Sequence, residues 1–264
     1  MTGVQTCALP ISPRIIIRNL AFGYRPGNPV FEQLSGEIIP GSVVGLTGPS
    51  GVGKTTLVSL IGRLYEPWQG SISIAGTDIC RVELSELRAE ISIVPQEAFL
   101  YHGTIRDNIA WGGAEATFRQ VTDAARRADA HDFITALPNG YETVVGGELA
   151  PLSAGQRQRI AIARALVKNF RVLIFDEGMN AVDAASRGRI LEELRRLAPG
   201  RAIVIITHDL EVLRQCNTVV VMSPGALEDQ TPAQLTSQSD SFVHYLRLRR
   251  RFETEPAPSL NSVA

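Results

Sequence analysis

A glycine-rich segment early in the chain has the composition of a phosphate-binding loop. Residues 48–56 read GPSGVGKTT and come just after the apolar run Val43–Leu46. Glycines let the backbone turn its N–H groups toward a phosphate chain, and a helix beginning near Gly53 adds the positive end of its dipole. Lys54 would supply a charge to the β- and γ-phosphates, and Thr55 a hydroxyl ligand for Mg²⁺. The pattern predicts a nucleotide phosphate site formed by Gly48, Pro49, Ser50, Gly51, Val52, Gly53, Lys54, Thr55 and Thr56.

Two neighbouring carboxylates, Asp176 and Glu177, follow a second apolar run, Val172–Phe175. In α/β proteins the carboxyl ends of parallel strands border the crevice in which ligands bind. There Asp176 is suited to hold Mg²⁺ through water, and Glu177 to polarise the water that attacks the γ-phosphate. An acidic pair often only ends a strand with solubilising groups. Because a phosphate loop lies in the same chain, we expect the pair to be functional.

The segments around these residues alternate between short β-branched runs and amphipathic stretches. The runs predict strands at Ile15–Ile17, Val43–Leu46, Ser71–Ile74, Ile91–Val94, Val172–Phe175, Ala202–Thr207 and Thr218–Met222. The amphipathic stretches predict helices at Lys54–Leu64, Ala114–Ala128, Ala154–Val167, Ala185–Leu197 and Leu210–Gln215. Such alternation favours a parallel sheet with helices on its faces. Residues 97–168 are nearly all helix-forming, which predicts a helical subdomain inserted into the α/β core.

The composition is that of a folded protein with little net charge. The 264 residues include 26 Lys and Arg against 27 Asp and Glu, a formal net charge of −1, and 44% are hydrophobic. This balance gives no electrostatic basis for binding nucleic acid. The 3 cysteines are far apart and outside any metal-ligand pattern, so they predict neither a disulfide framework nor a zinc site. No apolar run is long enough to predict a membrane-spanning helix.

The two ends of the chain differ in character from its middle. Residues 1–13 have neither helical nor strand periodicity and are expected to be a non-native or disordered leader, with the natural protein continuing upstream. Residues 248–264 are polar and rich in proline and serine, and are expected to form a disordered tail. One domain is therefore predicted between them, over residues 14–247.

Further motifs along the chain resemble those of the ATP-binding cassette (ABC) family. Residues 152–156 read LSAGQ and are followed by RQRIAIARA, as in the family's signature motif. Tyr24 ends the triplet FGY, and Gln96 lies in the segment IVPQEAFLYHGTIRDNIAWG. Asn180–Asp183 read NAVD after the acidic pair, and His208 follows the run IVIIT. The resemblance implies an α/β fold, with a P-loop NTPase (RecA-like) core, an N-terminal antiparallel β subdomain and an inserted helical subdomain.

The resemblance also implies a role for each of these residues. Tyr24 would stack on adenine, and His208 would be the switch histidine of the catalytic site. Gln96 would contact Mg²⁺, take part in catalysis and link the site to membrane domains. The residues that would cap the γ-phosphate bound by a second cassette are Ser153, Ala154, Gly155, Gln156 and Asp183. Simpler interpretations stay open, since a serine before a helix is often only an N-cap and a tyrosine is more often a core residue.

This chain departs from the family's usual sequence in three places. Ala154 replaces the usual glycine, and its methyl group is expected to weaken γ-phosphate capture modestly unless the backbone there has a negative φ. The usual ATSALD reads GMNAVD over residues 178–183, so that Asn180 replaces a serine and Asp183 is kept. Residues 143–150 match a further exporter motif only in part. None of these changes removes an expected catalytic group.

These features together predict the nucleotide-binding domain of a membrane exporter. It would bind ATP and Mg²⁺, hydrolyse the ATP at an interface with a second cassette, identical or different, and drive transmembrane domains from the cytoplasmic face of the membrane. The segment around Gln96 resembles exporter cassettes more than importer subunits. An importer's separate ATPase subunit and a soluble cassette ATPase stay open as alternatives. A module that binds ATP without turnover is disfavoured by the presence of Lys54, Asp176, Glu177 and His208.

Overall fold

The structure is a computed structural model that describes residues 13–113, 116–146 and 152–230. Its strands are β1 (Ile15–Phe22), β2 (Phe31–Ile38), β3 (Val43–Thr47), β4 (Gln69–Ile74), β5 (Thr77–Asp78), β6 (Ile91–Val94), β7 (Gly103–Thr104), β8 (Val144–Val145), β9 (Val172–Asp176), β10 (Ala202–Ile206), β11 (Thr218–Ser223) and β12 (Ala226–Gln230). Its α-helices are α1 (Lys54–Ile61), α2 (Leu84–Glu90), α3 (Ile105–Ala110), α4 (Phe118–Arg127), α5 (His131–Ala136), α6 (Ala154–Leu166), α7 (Ala184–Leu197) and α8 (Leu210–Gln215). Residues 1–12 and 231–264, with most of the expected leader and all of the expected tail, lie outside the described residues.

The parallel half of the main sheet places the phosphate loop beside the acidic pair. Its strands lie in the order β11–β3–β10–β9–β6, and each neighbouring pair is parallel. All residues of β3, β9 and β10 are buried, which explains why their sequences are nearly all apolar without alternation. Ile206 at the end of β10 pairs with Leu46 on one side and with Asp176 on the other. The carboxyl ends of these strands therefore meet at one edge of the sheet.

An antiparallel half continues the same 10-stranded sheet. Strand β1 pairs with β2 and β4, and β4 pairs with β5, all antiparallel. Strand β12 joins the two halves, since it is antiparallel to β11 and pairs Ala226 in parallel with Ser35 of β2. This half is the N-terminal antiparallel β subdomain that the family resemblance implies. The apolar runs do not predict β2 or β12, whose sequences FEQLSGEI and ALEDQ are mostly polar.

Between β6 and β9 the chain is mainly helical. Helices α3, α4 and α6 contact one another, and they bury Ile109, Val121, Ala125 and Ile160 in a shared core. The expectation that residues 97–168 are nearly all helical is wrong in one detail, because β7 and β8 form a 2-stranded antiparallel sheet there. Within the described ranges, no helix is both long and apolar enough to cross a membrane.

Helix α4 is shorter than its sequence pattern predicts. The pattern extends over Ala114–Ala128, whereas the helix spans Phe118–Arg127. Thr117 fixes the start, because its side chain accepts a hydrogen bond from the N–H of Gln120 while the Gln120 side chain accepts one from the N–H of Thr117. This reciprocal capping box satisfies backbone donors that the first helical turn leaves free.

Candidate nucleotide site

The loop between β3 and α1 has a backbone that requires glycine. Gly48 and Gly53 have φ angles of 152° and 103°, which strain other residues. A side chain at Gly48 would begin 2.3 Å from the carbonyl oxygen of Met222, and one at Gly53 would begin 2.4 Å from the ring of Phe31. Helix α1 begins at Lys54, directly after the last of these glycines. The chain thus has the strand, glycine turn and helix N-terminus that a phosphate site needs.

Lys54 places its ammonium group inside this loop. Its Nζ donates hydrogen bonds to the carbonyl oxygens of Gly48 at 3.0 Å and Pro49 at 2.9 Å. The side chain is nearly buried, with the residue 7% exposed. Pro49, Ser50 and Gly51 form the exposed tip of the loop, and Val52 and Gly53 are half-buried. The loop carbonyls therefore hold the lysine where it faces the turn that would surround a phosphate chain.

Thr55 and Asp176 bring two oxygen-bearing side chains together beside the loop. Thr55 Oγ1 donates a hydrogen bond to Asp176 Oδ1 at 3.1 Å. Burial raises the pKa of the Asp176 carboxyl; the hydrogen bond from Thr55 opposes this, and the charge of Glu177 adds to it. Burial lowers the pKa of the Lys54 ammonium, and the negative charges of Glu177 and Asp176 oppose that change. The site thus confines two carboxylates and one ammonium group in a partly desolvated space.

The donors beside the loop suit Mg²⁺ better than a transition metal. A hydroxyl from Thr55, a carboxylate from Asp176 and an amide oxygen from Gln96 are hard ligands, and Mg²⁺ binds such ligands while keeping several waters. Among the described residues, no three His, Cys, Asp or Glu side chains are grouped as metal ligands. The residues fit a cation held by few protein oxygens together with phosphate oxygens, rather than one enclosed by protein ligands alone.

Glu177 lies at the centre of a small cluster of polar side chains. Its φ of 53° is in the left-handed region, which is uncommon for a residue other than glycine. Its N–H donates to the carbonyl oxygen of Ile206 at 3.1 Å, which ties it to β10. The carboxylate has His208 Nε2 at 3.5 Å from Oε1, and Oε2 accepts hydrogen bonds from Gln96 Nε2 at 3.1 Å and Asn180 Nδ2 at 3.2 Å. The structure brings together the predicted residues Glu177, Gln96 and His208, and adds Asn180.

His208 is held by the short segment between β10 and α8. The N–H of Thr207 donates to the carbonyl oxygen of Leu46 at 3.2 Å, which fixes the segment against β3. Asp209 caps α8 by accepting a hydrogen bond from the N–H of Glu211 at 2.8 Å. The same carboxylate forms an ion pair with Arg187 of α7. Both residues that flank His208 are therefore anchored to other elements, although the sequence motifs do not single out Arg187 or Asp209.

A buried glutamine, Gln158 of α6, joins the two loops that contact Glu177. It is 1% exposed, and its Nε2 donates to the carbonyl oxygens of Gly178 at 2.7 Å and Pro95 at 3.1 Å. Gly178 directly follows the acidic pair, and Pro95 directly precedes Gln96. Gln158 is not among the residues predicted to form the site, although an uncharged polar residue on the buried side of a helix is a signal of a specific contact.

Tyr24 lies beside the phosphate loop and is not a core residue. It is 54% exposed, and its hydroxyl is 3.1 Å from Thr56 Oγ1. Its ring makes edge-on contacts with Phe22 and Tyr65, each with 5.3 Å between ring centroids. The alternative interpretation of Tyr24 as a core aromatic is therefore wrong, and stacking on adenine stays a prediction.

The signature segment forms the amino end of α6 and is open to solvent. Ser153 and Gln156 make a capping box, with Ser153 Oγ accepting from the N–H of Gln156 at 3.2 Å and Gln156 Oε1 accepting from the N–H of Ser153 at 2.9 Å. Ser153 and Ala154 are exposed. Ala154 is the first residue of α6, so its backbone is helical and does not require glycine. Gly155 is constrained, because a side chain there would begin 2.8 Å from the carbonyl oxygen of Ala181.

Asp183 caps the helix that follows the acidic strand. Its Oδ1 accepts a hydrogen bond from the N–H of Ser186 at 2.9 Å at the start of α7. Hydrogen bonds from Ser186 lower the pKa of this exposed carboxyl. Arg159 of α6 donates to the Ser186 hydroxyl at 3.2 Å, so the cap also ties α7 to α6. Asp183 thus has a structural role within one chain, and its contact with a second cassette stays a prediction.

Comparison with known proteins identifies relatives that cover most of this chain. The ABC transporter family matches over residues 31–180. The ATP-dependent lipid A-core flippase of Saccharophagus degradans is 45% identical over 214 residues, which is 81% of this chain and 36% of the flippase. The ATM1-type heavy metal exporter of Novosphingobium aromaticivorans is 39% identical over 236 residues, which is 87% of this chain and 39% of the exporter. The solved structure of a bacterial Atm1-family ABC exporter with ATP bound has a TM-score of 0.85 and 37% identity, and the match covers 94% of this chain and 43% of that one.

The chain spans less than half of the length of these relatives. The family match extends over more than half of this chain and contains the phosphate loop, Gln96, the signature segment and the acidic pair. The fold expected from the motifs agrees with that of the solved exporter. The chain belongs to the ABC transporter family, in which it is a nucleotide-binding ATPase domain of the exporter type.

Proposed function

We propose that this domain hydrolyses ATP at a site completed by a second cassette, and that the reaction drives export across a membrane by transmembrane domains. One observation carries the proposal. The carboxylate of Glu177 is fixed between Gln96 and His208, at the strand end that also carries the Thr55–Asp176 pair. These groups lie next to a loop whose glycines and buried lysine suit a phosphate chain.

Glu177 is the residue that removes a proton from the attacking water. Its two carboxylate oxygens have different neighbours, with an amide donor on Oε2 and His208 near Oε1, so the side chain is held from two sides. A positioned general base contributes about 10²- to 10⁴-fold to a rate. The φ of 53° at Glu177 supports this role, because residues with uncommon backbone angles are concentrated at functional sites.

The other residues neutralise and orient the nucleotide. The Lys54 ammonium is bonded to two carbonyl oxygens of its own loop, and charged phosphate oxygens are stronger acceptors that would replace them. Thr55, Asp176 and the amide oxygen of Gln96 would hold Mg²⁺, which offsets the negative charge of the β- and γ-phosphates when bound. Tyr24, exposed beside the loop, would stack on the adenine ring.

A second cassette would supply the remaining contacts to the γ-phosphate. The amino end of the 13-residue helix α6 is exposed, and its first N–H groups and dipole favour an anion. The capping box of Ser153 and Gln156 stabilises the first turn of α6 and leaves it accessible. The similarity to an exporter solved with ATP bound supports the same arrangement here.

An exposed aromatic patch near Gln96 would contact the transmembrane domains. The patch consists of Phe99, Tyr101 and Trp111, and Phe99 and Trp111 are 71% and 73% exposed. The ring of Tyr101 lies 6.1 Å from that of Phe99 and 4.5 Å from that of Trp111, and the guanidinium of Arg164 lies 4.6 Å from its centroid. Large exposed aromatic groups mark protein contact sites. Such a contact would place the domain at the cytoplasmic face of the membrane.

Steady-state ATP hydrolysis, ATP binding and dimer formation on Glu177→Gln and Lys54→Ala test the proposal. Glu177→Gln should lower kcat at least about 100-fold while ATP still binds and dimers accumulate with MgATP, because only the base is lost. Lys54→Ala should weaken ATP binding itself. Glu142→Gln, which changes an exposed glutamate paired with Arg106, is the matched control and should behave as wild type.

Two outcomes would contradict the proposal. Equal hydrolysis by wild type and Glu177→Gln would overturn the role of Glu177 as base. Undiminished ATP binding by Lys54→Ala would overturn the placement of the phosphates. Because the proposed site needs two chains, the assay is run over a range of protein concentrations, and hydrolysis should rise more than linearly with concentration.

A further inference from the structure

Asparagine 180 stands where the family's usual motif has serine, and it contacts the catalytic carboxylate. Its Nδ2 donates to Glu177 Oε2 at 3.2 Å, the same oxygen that accepts from Gln96 at 3.1 Å. We propose that Asn180 is a positioning residue that holds Oε2 of Glu177, so that Oε1, on the side of His208, is the oxygen that receives the proton from water. The inference deepens the proposed function and rests on it.

The backbone after the acidic strand brings Asn180 into place. The N–H of Asn180 donates to the carbonyl oxygen of Glu177 at 3.2 Å, so residues 177–180 form a turn that returns the Asn180 side chain toward Glu177. Met179 within the turn is 2% exposed, which anchors it in the core. Gly178 packs closely against β6, because a side chain there would begin 2.8 Å from Val94 Cγ1. The contact between Asn180 and Glu177 is therefore built into the turn.

Gln158 fixes the backbone segments that carry the two amide donors to Glu177. Its buried side chain bonds the carbonyl oxygens of Gly178, two residues before Asn180, and of Pro95, one residue before Gln96. The turn that carries Asn180 and the segment that carries Gln96 are thus fixed to the same residue of α6. An amide donates to a carboxylate without neutralising it, so both donors orient Glu177 while it keeps its charge.

The two donors make the position of Glu177 less dependent on either one alone. Gln96 lies at the start of the segment that carries the exposed aromatic patch, whereas Asn180 ends the short turn over residues 177–180, whose Met179 is buried. When Gln96 turns toward Mg²⁺ or moves with a membrane partner, Asn180 keeps its hydrogen bond to Oε2. A serine at position 180 has a shorter side chain with a single hydroxyl, and it would not give the same hold.

A double-mutant cycle on the rate of hydrolysis tests this inference. The variants are Asn180→Ala, Gln96→Ala and the double variant, each assayed for kcat and for the KM of ATP. Asn180→Ala should lower kcat only about threefold to fivefold, because Gln96 remains as a donor. Gln96→Ala should lower kcat further, because it also removes a proposed Mg²⁺ ligand, and the double change should lower kcat by more than the product of the two single effects. The KM of ATP for Asn180→Ala should stay within about twofold of wild type, because Asn180 orients the base and does not bind nucleotide.

Two further variants separate positioning from folding and from failure of the proposed function. Asn139→Ala, which changes an exposed asparagine that makes no side-chain capping bond, should retain wild-type kcat. In the Glu177→Gln background, Asn180→Ala should cause no further loss of kcat, since the base it positions is already gone.

The result that overturns the inference is a wild-type kcat for Asn180→Ala together with a double variant no slower than Gln96→Ala. An equal loss of kcat from Asn180→Ala with and without Glu177→Gln would overturn it as well, by showing a role that does not pass through Glu177. Failure of the proposed function looks different, because Glu177→Gln itself would then hydrolyse ATP at the wild-type rate.

Discussion

Two regions of this molecule are suited to bind phosphate, and they differ in how many contacts their side chains make with the rest of the same chain. The strand-end cluster consists of Lys54, Thr55, Asp176, Glu177, Gln96 and His208, and its side chains contact one another or the phosphate loop. The start of α6 consists of Ser153, Ala154, Gly155 and Gln156, and within the described part of the chain its polar side chains bond only within the capping box. In the proposed dimer, the first region is a half-site formed within one chain, and the second is a half-site presented to the other chain.

Helix α7 and the loop before it connect the two regions. The carbonyl oxygen of Ala181 packs against Gly155 at the start of α6. Asp183 then caps α7, and Arg187 on the same helix pairs with Asp209 next to His208. We therefore expect a change at the start of α6 to affect the strand-end cluster through these contacts.

Among substitutions that test the difference between the two regions, Ser153→Asp is expected to have the largest effect on ATP hydrolysis. Aspartate is a good N-cap, so helix α6 and the stability of the domain should be kept. Its negative charge would repel the γ-phosphate of a nucleotide bound by the second cassette, and ATP hydrolysis should fall at least about 100-fold. Steady-state hydrolysis and thermal unfolding, measured together, check both parts.

The matched control for this change is Thr117→Asp. Thr117 makes the same kind of capping box at the start of α4, with no predicted part in nucleotide binding. It should retain wild-type hydrolysis and stability. Equal hydrolysis by Ser153→Asp and wild type would mean that Ser153 is only an N-cap.

An intermediate effect is expected from Arg187→Ala, which cuts the connection through α7. The ion pair with Asp209 is partly shielded, with side chains 18% and 30% exposed, so its loss should let His208 move and lower kcat about threefold to tenfold. The KM of ATP should change little. Arg195→Ala is the control, because Arg195 also joins α7 to α8 but bonds the carbonyl oxygen of Gln215, at the far end of α8 from His208.

The smallest effect is expected on the stability of the domain without nucleotide, through Asp176 of the strand-end cluster. Burial raises the pKa of Asp176 above its usual 3.8, so the folded state binds protons more tightly than the unfolded state, and stability is lost as the pH rises through the pKa of the folded protein. Asp176→Asn should therefore raise the melting temperature at pH 7 by about 2 to 4 °C, and by less at pH 4.5. Asp132→Asn, at an exposed position, should show no such difference; a lower melting temperature for Asp176→Asn at pH 7 would contradict this account.

The sequence predicts the residues of both half-sites but not the contacts that position them. Short motifs with fixed spacing predict Lys54, Glu177 and His208, because the chemistry of phosphate transfer needs those residue types in a set order, and their roles in hydrolysis stay predictions. The contacts of Gln158 and Asn180 could not be predicted, because each depends on loops that come close to one another only in the folded protein. A polar residue bonding to distant backbone leaves no periodic trace in the sequence.

The same limit explains which strands the sequence misses. Strand β9 is apolar throughout its first four positions because both faces of the sheet are covered there, so its pattern is strong. Strand β12, with sequence ALEDQ, forms because β11 and β2 offer backbone partners on its two sides. Leu227 of β12 packs closely against Gly36 of β2. A side chain at position 36 would begin 2.5 Å from the Cβ of Leu227. Pairing of this kind is decided by the assembled sheet rather than by local composition.

In the proposed dimer, the catalytic half-site of one chain works with the exposed half-site of the other. Mixing two inactive variants tests this arrangement. Glu177→Gln lacks the base, and Ser153→Asp blocks the outward half-site. In a mixed dimer one site carries both defects and the other carries neither.

The mixture is prepared before MgATP is added, so that the chains exchange freely, and its hydrolysis is compared with that of each variant alone. The mixture should hydrolyse ATP well above the sum of the two, since mixed dimers contain one intact site. Activity equal to that sum, with mixed dimers present, would mean that both half-sites act within a single chain and would rule out the shared site.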